Sequence, residues 1–217
     1  MAVLENRYIY LHGFASGPQS TKAQFLRHCW QKRGLAMEIP DLNGDDFSSL
    51  TLTRQIVQVG QLIEQSQLPV TLIGSSFGGL TAAWLAETYF QVQRLVLLAP
   101  AFNFGPIWLG QLEAETLANW QKSGSLSVYH YGYRRYLPIY YKFIEDLANY
   151  PQDKLIRQLP TLIIHGRADE VIPPENSRYY AFSRPWVQLI ELDSDHALTD
   201  VLTRIWAEMQ LFLDIGL

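Results

Sequence analysis

The run Val70-Thr71-Leu72-Ile73-Gly74-Ser75-Ser76-Phe77-Gly78-Gly79-Leu80 decides the fold. Its first four residues are apolar or β-branched, the composition of a strand buried on both faces. At its far end an Ala- and Leu-rich helical pattern starts and continues to Tyr89. Between them stands Gly-x-Ser-x-Gly, centred on Ser76. In a strand-to-helix context this pattern makes a sharp, strained turn, and the positions two before and two after the serine must lack side chains for it to close. The turn lifts the Ser76 hydroxyl above the sheet at a helix N-terminus, where the helix dipole favours developing negative charge. Ser75 is excluded as the central residue by register, because its flanking positions would be Ile73 and Phe77.

Outward from this turn, similar short apolar runs alternate with helical periodicity. The runs are Tyr8–Leu11, Ala36–Ile39, Val70–Ile73, Leu95–Ala99, Thr161–Ile164 and Val187–Leu192. The helical stretches are Ser20–Arg33, closed by Gly34, then Leu52–Glu64, Gly78–Tyr89 and a C-terminal stripe of Leu198, Leu202, Ile205, Met209 and Phe212. Such alternation predicts a mostly parallel sheet of about six or more strands with helices on both faces. The rhythm breaks once. After Ala99 the next strand waits until Thr161, and so long an excursion between strands is usually functional. Within it, Ile107–Gln121 and Tyr141–Ala148 read as helices, and Val128–Tyr131 and Tyr136–Ile139 flank a turn at Gly132.

The 217 residues are 48% hydrophobic and 18% charged, too apolar for a disordered chain. One domain with an insertion at about 101–158 fits that length better than two domains. A net charge of −4 without a basic patch argues against nucleic acid as a partner. No apolar stretch reaches the roughly 20 residues of a membrane span, and the N-terminus has no signal-like segment. With the lone Cys29, the expected setting is the cytoplasm. Aromatic residues number 6 Trp, 12 Tyr and 10 Phe, and 12 of them fall within 101–150.

Three further motifs end predicted strands. His12-Gly13-Phe14 follows the first and supplies a turn whose next N–H points toward the serine. The backbone N–H groups of Phe14 and Phe77 are therefore the expected oxyanion hole, and His12, upstream of the serine, is structural. Asp169, in His165-Gly166-Arg167-Ala168-Asp169-Glu170, lies on a strand's exit loop, where a carboxylate that orients a base belongs, and is preferred over Glu170. His196, in Ser194-Asp195-His196, is the expected base. Asp193 and Asp195 are loop residues, because neighbours in sequence rarely reach an imidazole Nδ1. His28 and His130 read as surface or core histidines. The chain order Ser76, Asp169, His196 is that of the α/β-hydrolase fold and not of trypsin-like or subtilisin-like enzymes.

The opening Tyr10-Leu11-His12-Gly13-Phe14-x-Ser16-x-Pro18-x-Ser20-x-Lys22, the elbow Gly74-Ser75-Ser76-Phe77-Gly78-Gly79 and the ending Asp195-His196-Ala197 resemble the small bacterial α/β-fold esterases of the YqiA type. The resemblance implies hydrolysis of acyl esters or thioesters with no metal or organic cofactor. The segment 101–160 carries no motif of that family. It is expected to form an aromatic cap whose Phe102, Trp108, Trp120, Tyr136 and Tyr140 meet a small-molecule acyl substrate. Other chemistry on the same fold, such as a C–C hydrolase or a cofactor-free haloperoxidase, is an alternative. So is a non-catalytic binding protein that uses the aromatic cap, although no member of the serine, histidine and aspartate set is missing. Ser76 argues against the aspartate-nucleophile chemistry of epoxide and haloalkane hydrolysis.

Overall fold

A computed structural model describes residues 6–215. Five strands form one parallel sheet in the order β1 (Arg7–Leu11), β2 (Val70–Ser75), β3 (Val92–Leu98), β6 (Thr161–Gly166) and β7 (Val187–Leu192). Two more, β4 (Ser125–His130) and β5 (Arg135–Tyr140), form a separate antiparallel hairpin between β3 and β6 in sequence. Strand side chains alternate between two faces, and here each face feeds its own core. Ile9, Leu11, Leu72, Leu95, Leu97 and Ile163 face one side, with α2 (Leu52–Glu64) and α3 (Phe77–Thr88). Tyr10, Ile73, Val96, Leu98, Leu162 and Ile164 face the other, with α1 (Thr21–Lys32) and α8 (Leu202–Leu213). Strands β2 and β6 are buried along their whole length, which explains their unbroken apolar runs.

Three local expectations differ from the structure. Ala36–Ile39 makes a single parallel bridge, Ile9 to Glu38, instead of a strand. Pro40 follows at once and cannot donate to a ladder. The stretch 107–121 is two helices, α4 (Phe104–Gln111) and α5 (Ala114–Ser123), parted at Leu112, whose backbone is extended just after the weak helix former Gly110. Leu198 lies outside the final helix with φ of 56°. It still joins the same buried core as Ile205 and Met209, so its spacing echoed packing and not helix.

Residues 99–161 are tied down at several points. Trp120 Nε1 of α5 donates to the Ile139 carbonyl of β5 at 3.0 Å. Helix α6 (Lys142–Leu147) presents Asp146 to the first turn of α2, where Oδ2 accepts the Thr53 N–H at 2.9 Å and Oδ1 the Thr53 hydroxyl at 2.5 Å. A carboxylate there satisfies a helix N–H that has no intrahelical partner. Among the described residues no helix is long and apolar enough to cross a membrane.

Candidate active site

Ser76 sits between the end of β2 and the start of α3 with φ of 53° and ψ of −118°, a strained conformation for a residue with a side chain. The surroundings enforce it. A Cβ at Gly74 would collide with the Gly78 carbonyl, and a Cβ at Gly78 with the Leu11 carbonyl of β1. The Ser76 N–H is fixed to the Leu98 carbonyl at 2.8 Å, and the Ser76 carbonyl accepts from Gly79 at 2.8 Å and from Ala101 at 3.0 Å. The hydroxyl is what remains free to point outward.

It meets His196, whose Nε2 lies 3.0 Å from Ser76 Oγ. His196 Nδ1 lies 2.7 Å from Asp169 Oδ2. A carboxylate next to Nδ1 holds the proton on that nitrogen, which leaves Nε2 as the acceptor facing the serine hydroxyl. Asp195 instead accepts the N–H groups of Ala197 at 2.8 Å and Leu198 at 3.2 Å, and so shapes the loop that presents His196. Glu170 is exposed, whereas the Asp169 side chain is wholly buried.

Asp169 is held from four directions. Its Oδ1 accepts the N–H of Val171 at 2.9 Å and of Ile172 at 2.8 Å. Its Oδ2 is shared by His196 and by a second imidazole, His165, whose Nε2 stands 3.0 Å away. The same Nε2 is 2.9 Å from the Ile172 carbonyl, so it must carry the proton, and Nδ1 then accepts from the Ser177 hydroxyl at 2.8 Å. Burial by itself would raise the Asp169 carboxyl. The hydrogen bonds from His165 and His196, the charge of His196 and the Ile172 N–H outweigh it and hold the group well below the usual carboxylate range. Asp169 therefore stays an anion while buried.

His165 is the residue that sequence reasoning passed over. Its only local signal was its place four residues before Asp169. Lys22 is a second, quoted earlier only as part of a motif. From α1 its ammonium donates to the Ala197 carbonyl at 2.6 Å, next to His196. Burial pulls its pKa down to about 8, opposed by the charges of Asp169 and Asp195.

On the other side of Ser76 lies the loop after β1. A Cβ at Gly13 would stand 3.3 Å from Ser76 Cβ and 3.9 Å from its Oγ, so the Gly13–Phe14 peptide runs against the serine. Phe77 begins α3, where a backbone N–H has no intrahelical acceptor. His12 is buried, and its Nε2 accepts the Leu42 N–H at 2.9 Å, a bond that braces the loop.

The Phe14 ring is the hub of an aromatic cluster. It lies 5.3 Å from Trp108, 5.3 Å from Phe143, 6.0 Å from Phe104 and 6.3 Å from Phe77, centre to centre. Of the five aromatics expected to meet substrate, Trp108 is the one that touches Phe14. Trp120 is buried behind Trp108 at 5.2 Å, and Phe102 is buried against Tyr180 at 4.3 Å. Tyr136 and Tyr140 are exposed on the hairpin, since Leu137 and Ile139 take the inward positions of β5. No group of three or more His, Cys, Asp or Glu among the described residues is arranged to hold a metal ion.

A model of the Uncharacterised protein family (UPF0227) matches residues 7–213. Among solved structures, a putative hydrolase from Agrobacterium vitis S4 is similar with a TM-score of 0.85 and 21% identity, covering 95% of this chain and 87% of its own. Alpha/beta hydrolase domain-containing protein 10 from mouse has a TM-score of 0.81 and 22% identity, covering 95% of this chain and 89% of its own. Est1E from Butyrivibrio proteoclasticus, with ferulic acid bound, has a TM-score of 0.81 and 18% identity over 96% of this chain and 88% of its own. At these identities the likeness is one of fold, and the fold is that of α/β-hydrolases.

Proposed function

The chain belongs to the uncharacterised protein family UPF0227, and we propose that it is a serine hydrolase of carboxylic esters or thioesters, with Ser76 as nucleophile, His196 as general base and Asp169 as its orienting anion. The single observation that carries the reading is the continuous hydrogen-bonded chain from Ser76 Oγ through His196 to Asp169, built on a serine held in a strained backbone conformation. Strain of this kind persists only where the surroundings over-determine it, and it concentrates at reactive groups.

The reaction divides into two steps. His196 Nε2 takes the Ser76 proton as Oγ attacks the substrate carbonyl carbon. The carbonyl oxygen becomes an anion and accepts the N–H groups of Phe14 and Phe77, preorganised donors of the kind that usually supply the largest single electrostatic term. Asp169 stabilises the imidazolium without taking its proton. His196 passes that proton to the departing oxygen or sulfur, and an acyl-enzyme on Ser76 remains. Water, deprotonated by His196, then attacks the acyl carbon; the bond to Ser76 Oγ breaks, His196 returns its proton to that oxygen, and the acid leaves.

In this reading the segment 101–158 is a cap on a single α/β-hydrolase domain. The acyl group lies against the half-buried rings of Phe14, Phe104 and Trp108, with Trp120 supporting Trp108 from behind. The ferulic acid bound to Est1E from Butyrivibrio proteoclasticus agrees with a small acyl substrate. A free and buried Cys29 suits a reducing, cytoplasmic setting.

The test is a chain-length panel of p-nitrophenyl esters and acyl-CoA thioesters, run with the wild type and with Ser76→Ala. We expect turnover by the wild type and a loss on the order of 10⁵-fold or more in the variant. Equal turnover in a folded Ser76→Ala protein would overturn the assignment.

A further inference from the structure

The loop that carries Phe14 has no regular structure of its own, and Ala15 within it stands in the left-handed region with φ of 51°. Its backbone is held largely from the β4–β5 hairpin, far away in sequence. The Tyr131 N–H at the hairpin tip donates to the Ala15 carbonyl at 2.8 Å. The next carbonyl, Ser16, accepts from Asn43 Nδ2 at 2.8 Å. Asn43 Oδ1 in turn accepts from His130 Nε2 at 3.0 Å, and His130 is the last residue of β4.

His130 is wholly buried and fully engaged. Its Nδ1 accepts the Tyr133 N–H at 3.1 Å, which fixes the remaining proton on Nε2. Its ring stacks on Tyr133 at 4.2 Å and meets Phe47 edge-on at 4.7 Å. Phe47 also packs on Phe14, at 5.6 Å. Gly132 completes the contact. A Cβ there would lie 3.2 Å from the Ser16 carbonyl oxygen and 3.1 Å from His130 Cε1. Its φ is not in the left-handed region, so the demand for glycine comes from close approach to the loop and not from the turn.

We propose that the hairpin tip is a positioning element for the oxyanion hole: His130, Asn43 and Gly132 hold the Ala15–Ser16 backbone, and with it the Phe14 N–H, against Ser76. The proposal rests on the hydrolase reading of Ser76. Its consequence is that the segment covering the site and the donor the reaction needs move as one piece. A hairpin lifted from the loop leaves Ser76, His196 and Asp169 intact but leaves the developing oxyanion with one donor fewer. A donor displaced by about 1 Å costs one to two orders of magnitude in rate.

The test uses the full chain and three variants. Gly132→Ala wedges a methyl group between tip and loop. His130→Asn keeps an acceptor for the Tyr133 N–H but loses the reach to Asn43, while His130→Gln keeps that reach. Thermal midpoints confirm folding, and p-nitrophenyl acetate turnover gives kcat and KM. We expect Gly132→Ala and His130→Asn to lower kcat by about 10- to 100-fold with KM within about twofold. Fluorophosphonate labelling of Ser76 should slow in parallel, because the phosphoryl oxygen needs the same donors. His130→Gln should recover most of the activity that His130→Asn loses. A folded Gly132→Ala protein with wild-type kcat and labelling rate would overturn the proposal. A wild type that is never labelled at Ser76 would instead overturn the hydrolase reading beneath it.

Discussion

The loops at the ends of the sheet strands and the segment between β3 and β6 are specified in opposite ways. In the strand-end loops a few backbone requirements decide everything. Gly74 and Gly78 allow the Ser76 turn to close, the register of β6 delivers Asp169, and Asp195 shapes the loop that presents His196. In the inserted segment no backbone motif stands out. Its form comes from ring against ring, Trp108 on Trp120 and Phe14, and from single long-range bonds such as His130 to Asn43 across 87 residues. On the proposed function, the first region would set which reaction is possible, and the second which acyl group reaches it and, through the hairpin tip, how well the transition state is held.

That division can be broken at either end. After the loss of the Ser76 hydroxyl itself, the largest effect is expected from Asp169→Asn, which removes the anion and leaves the wrong imidazole tautomer facing Ser76. We expect kcat to fall about 10⁴-fold on every substrate in the panel, short or long. A loss confined to one chain length would place Asp169 with specificity and not with chemistry. Trp108→Ala should behave the other way. It removes apolar area beside Phe14, so kcat/KM for an octanoyl ester should drop by about 10- to 100-fold while the acetyl ester changes less than about threefold. Equal losses on both esters would erase the distinction between the two regions.

The smallest effect is a matter of pH. The groups around His130 are His12, Asp41, Arg135, Tyr133, Asn43 and Phe47. Burial pushes the His130 imidazole down, His12 and Arg135 push the same way, and Asp41 opposes them. A base depressed in the folded state lends stability that is full above its unfolded value, about 6.5, and is lost as pH falls from there toward the folded value. Below about pH 6.5 the hairpin contact should weaken, since a proton on Nδ1 opposes the Tyr133 N–H. The ratio of wild-type to His130→Gln activity should therefore fall a few-fold between pH 7 and pH 5. Whatever pH changes in both proteins alike cancels in that ratio. A constant ratio would deny the hairpin any acid sensitivity.

The same contrast explains what was legible in the sequence. Strands β2 and β6 and the Gly-x-Ser-x-Gly turn depend on neighbours in the chain, so composition and spacing exposed them. Ser76, Asp169 and His196 could be singled out because each follows a readable strand. Pairing of the 36–39 run failed because Pro40 limits it to one bridge, a detail that apolar composition conceals. Tyr136 and Tyr140 were drawn toward a pocket by residue type, but the two-residue period of β5 sends Leu137 and Ile139 inward and the tyrosines out. His165 escaped notice because its value lies in a shared oxygen atom of Asp169 that no spacing rule reveals. His130 read as an ordinary core histidine for a similar reason: the Asn43 it serves belongs to a distant loop.

The central claim is that Ser76 is the nucleophile. It is tested most directly by treating the intact protein with a fluorophosphonate and locating the adduct by peptide mass spectrometry. One phosphonyl group per chain is expected, on Ser76, absent from Ser76→Ala and sharply slowed in Asp169→Asn. A folded protein that takes up no probe, or takes it up on Ser75 or elsewhere, would contradict it.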